Sequence, residues 1–234
     1  MVPALSYRTA LIVGAGAGLS ASLARLFTKS GLTVALASRS TADLAPLAEE
    51  TGAKLFTCDA SEETQVSRLF ADVDASVGAP DVVVYNPSFR TRGPFIEIVP
   101  SDVQKAFAIS AFGAFLVAQQ AARRMLLNNH GAIFFTGASA GMKGFPKSAP
   151  FAMAKFALRG LSQSLARELQ PQGIHIAHFV IDGGIRSASR PVPGDMPDSL
   201  LDPDAIAQTY LDVLRQPRSA WSSEIEMRPW TETF

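Results

Sequence analysis

Val13-Gly14-Ala15-Gly16-Ala17-Gly18-Leu19-Ser20 joins the first apolar run of the chain to its first amphipathic segment. Residues this small let a backbone approach a bulky anionic group closely. The amides at the N-terminus of the helix that follows then face the negative charge. The strict spacing G-x-G-x-x-G fails because position 19 is leucine. What fits is Gly14-x-x-x-Gly18-x-Ser20, with serine still small enough to keep helix and strand in contact. A phosphate-cradling turn between a strand and a helix predicts an α/β fold.

The rest of the chain agrees. Apolar runs alternate with amphipathic segments, the pattern of a parallel sheet with helices on both faces. Strands are expected at 9–13, 33–37, 54–57, 82–85, 132–136, 175–181 and 224–227. Helices are expected at 19–29, 42–50, from Ser61 as a serine cap, at 102–127 after Pro100-Ser101, at 149–170, and from Asp202-Pro203-Asp204 to about residue 215. Ser30-Gly31 and Gly52 are good helix stops. The run Val82-Val83-Val84-Tyr85 suits burial on both faces. Residues 182–203, rich in Pro, Gly, Asp and Ser, read as a mobile loop over the site. With no repeats, low-complexity tracts or linkers, residues 1–234 form one three-layer domain.

Bulk properties narrow the function. In 234 residues, 47% are hydrophobic and 18% charged, which suits a well-buried globular protein. Basic and acidic residues number 21 each, so nothing favours nucleic acid or an anionic membrane as a partner. One cysteine, Cys58, allows no intrachain disulfide. That thiol and the three histidines, His130, His175 and His178, make no metal-ligand cluster, and the last two read as ordinary strand residues. The stretch from Met1 to Tyr7 is short and uncharged, with no secretory signal visible. The cytoplasm is the expected location.

Pro150-Phe151-Ala152-Met153-Ala154-Lys155 then gives the chain a second landmark. Together with the Gly14–Ser20 turn, it resembles the short-chain dehydrogenase/reductase family, whose catalytic helix carries Tyr-x-x-x-Lys; here the tyrosine position holds Phe151. The resemblance runs from Thr9 to about Met227. It implies a Rossmann-like, doubly wound parallel sheet that binds a nicotinamide dinucleotide along Gly14, Gly16, Gly18 and Leu19. It implies adenine contacts at Asp59 and Ala60, a further contact at Asn86, the nicotinamide carboxamide at Ile185 and a phosphate at Ser187. Lys155 would hold the nicotinamide ribose. After the second strand the chain reads Ser38-Arg39 rather than a carboxylate, which favours NADP(H) over NAD(H), because a guanidinium grips a 2′-phosphate in bidentate fashion. Pro87 and Ser88 depart from the family's Asn-Asn-Ala-Gly, and Asp182-Gly183-Gly184 from its Pro-Gly turn.

The catalytic positions depart further. The family's helix asparagine matches Ser110, and its serine falls on Ala138, with Ser139 beside it and able to reach the same space if the loop shifts by one residue. Phe151 has no proton to give, so only Lys155 is retained. Ser148 stands seven residues before Lys155, where some members place their tyrosine, and could relay a proton through water; Tyr85 is a second candidate donor but reads rather as core or cofactor wall. Lys143, Lys147 and Arg186 read as solvated loop charges.

Two functions follow, with a different chemistry on the same fold as a third and weaker reading. The first is an NADP(H)-dependent oxidoreductase acting on a small carbonyl, enone, quinone or imine with a non-standard proton donor. The alternative is a non-catalytic NADP(H)-binding protein, a sensor or partner subunit. The resemblance also implies a homodimer or homotetramer, with Phe107, Phe112 and Phe115 on the middle helix as interface or core.

Overall fold

The computed structural model describes residues 5–232, so Met1–Ala4, most of the expected uncharged N-terminal stretch, lie outside the described residues. Seven strands form: β1 (Thr9–Val13), β2 (Thr33–Ser38), β3 (Lys54–Thr57), β4 (Val82–Tyr85), β5 (Gly131–Thr136), β6 (Ile174–Ile181) and β7 (Glu224–Met227). They make one sheet in the order β3-β2-β1-β4-β5-β6-β7, with every pairing parallel. The helices are α1 (Leu19–Lys29), α2 (Ala45–Thr51), α3 (Glu63–Val77), α4 (Pro100–Phe107), α5 (Gly113–Met125), α6 (Ala149–Leu169) and α7 (Pro203–Leu214).

Burial explains why the strands look uniformly apolar. Ala10 and Ile12 of β1 join one core with Phe27, Leu47, Tyr210 and Leu211, beneath α1, α2 and α7. Leu11 and Val13 join the other with Phe70, Val117 and Leu158, beneath α3, α5 and α6. The central strands feed two cores at a period of two, so neither of their faces can be polar, whereas β7 packs Ile225 and Met227 on one core and turns Glu224 and Glu226 away from it. His175 and His178 are buried strand residues as expected.

Strand order reverses beside β1, since β2 lies on one side of it and β4 on the other. A crevice must open there at the C-terminal ends of the strands. Gly14, Asn86 and Gly137 all follow strands that end at this edge.

Two expectations need correction. The helix expected at 102–127 starts at Pro100 and is split by a π-helical turn, Ala108–Phe112. The buried Tyr85 hydroxyl donates to the Ile109 carbonyl at 2.5 Å, and a Cβ on Gly113 would lie 2.4 Å from that hydroxyl and 2.6 Å from Ala60 O. The bulged turn and the missing side chain together admit the phenol. Ser61 does not cap α3; Glu62 occupies that position, and Ser61 Oγ donates instead to Asp59 Oδ1 at 2.6 Å. The segment 182–203 is tied at its base, where Ile185 bridges Leu201 and Arg186 pairs with Asp202 at 2.9 Å.

Candidate active site

The turn after β1 is shaped by contacts the sequence does not advertise. Gly14 has φ +79° and donates to Ala37 O at 2.9 Å. A Cβ there would lie 2.6 Å from Pro87 N. Pro87 therefore makes glycine obligatory at position 14. Around Gly16 and Gly18 a Cβ would meet nothing within 4 Å, so these glycines leave an open cradle. No side chain caps α1, and its first turn carries no acid, so its leading amides are free for an anion. Ser20 Oγ donates to Gly14 O at 3.2 Å and accepts from Asn86 Nδ2 at 2.8 Å, which locks the turn to the end of β4.

Three adjoining hollows make one groove along the sheet edge. The first, about 340 Å³, is bordered by Ser38, Arg39, Asp59, Ala60, Asn86 and Ile109. Its Asp59 carboxyl is held below the usual carboxylate range, chiefly by the Ser61 hydroxyl and then by the Ser61 amide and the Arg39 and Lys105 charges. The second, about 200 Å³, is bordered by Gly14, Gly16, Gly18, Leu19, Asn86, Ile185 and Ser187. The third is a cleft of about 900 Å³ that contains Ser139, Ser148, Phe151 and Lys155. Asn86 borders all three. The expected cofactor residues thus converge on one continuous surface.

In the cleft Lys155 is 2% exposed, and its Nζ donates to Thr136 O at 2.9 Å. Burial pulls its ammonium down to about 8. A Cβ on Gly141 would lie 3.0 Å from Lys155 O, so the loop after β5 lies tightly over the lysine. The Phe151 ring is 5.8 Å from Lys155 Nζ on one side and 5.2 Å from the Arg90 guanidinium carbon on another. Ser148 is 2% exposed, and its hydroxyl has no hydrogen-bond partner although it borders the cleft. Ala138 and Ser139 both border it too.

Not every candidate belongs here. Ser110 is fully buried and absent from the cleft wall; its Oγ accepts from the Phe89 amide at 3.3 Å and so braces the segment after β4. Tyr85 is equally buried, and burial pushes its phenol far up, so it is core rather than an acid. Lys143 is exposed, as expected of a loop charge, and it also borders the cleft, whereas Arg186 is spent on Asp202. The sequence reading missed Arg90, Arg92 and Arg190, all on the cleft wall. The clue to the first two was the repeat Arg90-Thr91-Arg92 just beyond a strand's C-terminal end. Among the described residues no cluster of His, Cys, Asp or Glu could hold a metal, and no helix is long and apolar enough to cross a membrane.

Comparison with known proteins agrees with this geometry. Residues 14–200 match the family described as Enoyl-(Acyl carrier protein) reductase. A cyclic-di-GMP-binding biofilm dispersal mediator protein of Escherichia coli K12 is 32% identical over 200 residues, covering 84% of this chain and 81% of that protein. The 3-oxoacyl-[acyl-carrier-protein] reductase MabA of Mycobacterium avium is 30% identical over 183 residues, covering 78% and 69%. The crystal structure of a short-chain dehydrogenase from Rhodopseudomonas palustris superposes with a TM-score of 0.82 at 34% identity, covering 95% of this chain and 99% of that one. On the fold, the groove and these relatives together, the chain belongs to the short-chain dehydrogenase/reductase family of NAD(P)-dependent oxidoreductases.

Proposed function

We propose that this protein is an NADP(H)-dependent oxidoreductase whose proton does not come from a tyrosine. The observation that carries the reading is the unbroken groove from Arg39 to Lys155, ending against a phenylalanine. Gly14, Gly16, Gly18 and Leu19 would hold the pyrophosphate, Ser38 and Arg39 the 2′-phosphate, and Asp59 and Ala60 the adenine. Asn86 braces the turn, Ile185 would meet the carboxamide and Ser187 a phosphate. A bound nicotinamide supplies or takes the hydride. Lys155 would hold its ribose, a task that needs no phenol.

Phe151 fixes the ring position without a proton, and so shapes the pocket rather than its acid–base chemistry. The free hydroxyl of Ser148 and that of Ser139 are the groups that could hold a relaying water. Losing a placed general acid typically costs ~10²–10⁴-fold in rate. Small substrates that stabilise their own developing charge need that acid least, which favours activated enones, quinones and imines over simple carbonyls. The buried Ser110 acts on the Phe89 backbone in this reading, not on substrate.

Phe112 and Phe115 stack on one another and stay 48% and 42% exposed, and Met153 and Phe156 are similarly open. An apolar face of this kind on the π turn, α5 and α6 supports a homodimer or homotetramer. A cytoplasmic location fits the lone buried thiol, Cys58.

The test is to titrate NADPH and NADH into the protein, then follow NADPH absorbance with ketones, enones, quinones and imines. Binding with turnover of at least one class supports the proposal. Tight NADPH binding with no turnover across the panel selects the alternative, a non-catalytic NADP(H)-binding protein. No affinity for either dinucleotide rejects both.

A further inference from the structure

The cleft wall around Phe151 has an unusual charge balance for a chain whose net charge is zero. Among the described residues, Arg90, Arg92, Lys143, Lys155 and Arg190 border it, against the carboxylates Asp182 and Glu232. Asp182 is already engaged, 5% exposed and 3.8 Å from Arg228. Some arginines elsewhere are neutralised, since Arg25, Arg124, Arg159 and Arg186 each hold a carboxylate within 3 Å. Among the described residues, Arg90, Arg92 and Arg190 form no such pair.

The arginines come from two walls. Arg90 and Arg92 extend from the segment after β4, which Ser110 braces through the Phe89 amide. Arg190 comes from the opposite loop, where Ser187 and Arg190 exchange two 3.0 Å backbone bonds in a tight turn. Its Nη1 rests 3.1 Å from where a Cβ of Gly184 would stand, one residue from Ile185. The Arg90 guanidinium lies over the Phe151 ring, and its charge is disfavoured by burial and by Arg92 and Arg190 nearby. Ser148, buried and without a hydrogen-bond partner, adds a neutral donor on the same wall. Like charges gathered with spare donors around a hollow are relieved by an oxyanion, which guanidinium groups grip in bidentate fashion.

We propose that this cleft takes a small substrate bearing a carboxylate or phosphate group, held between Arg90 and Arg190 beside Phe151, with Arg92 at the rim and the Ser148 hydroxyl as a further donor. The assignment of that anion as part of the hydride acceptor rests on the function proposed above. The anion site itself stands on the wall charges alone.

Calorimetric titration of NADPH-saturated protein with fumarate, glycerol 3-phosphate and dimethyl fumarate tests it. Fumarate or glycerol 3-phosphate should bind at least ~10-fold more tightly than the neutral diester, a gap of about 1.4 kcal/mol. The tighter of the two anions identifies carboxylate or phosphate as the preferred group. The R90Q/R190Q double variant should abolish the gap while NADPH affinity stays within about twofold, a margin well under one decade. The site is refuted if neither anion binds, if the diester binds as well, or if the folded double variant keeps the preference. The wild-type comparison decides even where the variant misfolds. If NADPH fails to bind, the dinucleotide reading falls, and the same titrations on cofactor-free protein still decide the anion site.

Discussion

The two ends of the groove are finished to different degrees. At the phosphate-turn end the short polar side chains are already engaged, while the first amides of α1 stay open: Asn86 holds Ser20, Ser20 holds Gly14, and Ser61 holds Asp59. At the Phe151 end they are not: the Ser148 hydroxyl has no partner, and Arg90 and Arg190 face the hollow without carboxylates. A turn built from backbone and short-range bonds presents a rigid surface before any ligand arrives. A wall that keeps its donors and charges in reserve depends on the ligand to satisfy them. Binding architecture and chemistry can therefore diverge within a single groove.

The largest expected effect restores the missing group. Phe151→Tyr should raise NADPH-dependent ketone reduction by ~10²–10⁴-fold, the usual worth of a placed general acid, measured as initial rates of absorbance loss. Lys155 beside the new phenol would favour its ionised form. A variant that binds NADPH and still reduces no substrate would mean that more than one proton separates the two ends.

Gly14→Ala attacks the finished end. Its Cβ would collide with Pro87 at a backbone of φ +79°. A stability loss of about 2–4 kcal/mol is expected by denaturant titration, together with weakened NADPH binding. Gly16→Ala, in open space, should leave the unliganded fold nearly unchanged. Equal stability losses in both would remove Pro87 as the reason for glycine.

Arg39→Ala should weaken NADPH ~10–100-fold and NADH by less than about threefold, read by fluorescence titration, because a 2′-phosphate is what the guanidinium would grip. Equal small losses would discredit the clamp.

The smallest effect concerns Lys155. Its ammonium is lowered by burial from 10.5 to about 8. Between those values the unfolded chain holds more protons than the folded one, so this group makes stability rise with pH across that window, and its penalty is complete below about 8. Lys155→Met should flatten that slope and leave the unliganded protein no less stable at pH 7, by an amount on the order of 1–3 kcal/mol in its favour. It should weaken NADPH at the same time. A steep loss of stability would mean that the bond to Thr136 O outweighs the buried charge.

Much of this was readable along the chain. The strands at Thr9–Val13, Lys54–Thr57, Val82–Tyr85 and Glu224–Met227 form over the segments expected for them, the first and third as apolar runs and the last as an alternating one. The turn at Gly14 and the lysine at 155 were equally plain, since each depends on local spacing. Ser61 misled because its hydroxyl donates to Asp59 Oδ1 and Glu62 takes the cap position, so the serine oxygen does not accept from the first amides of α3. The π turn at Ala108–Phe112 left no local mark; it exists to meet a tyrosine hydroxyl from β4, 24 residues earlier in sequence. Ser110 was matched to the family's asparagine by resemblance, and it lies in that same bulge, buried and accepting from the Phe89 amide.

The sequence by itself determined the alternating architecture, the phosphate turn, the arginine after the second strand and the absence of a phenol at 151, because each is a matter of neighbouring residues and their conformational preferences. Only the tertiary structure decided why position 14 must be glycine, that the Ser148 hydroxyl beside the cleft is buried without a partner, and that Arg90 and Arg190 share a hollow although 100 residues of chain separate them. Those facts depend on distances across the sheet edge, and no local preference encodes a distance between segments that meet only after the sheet has formed.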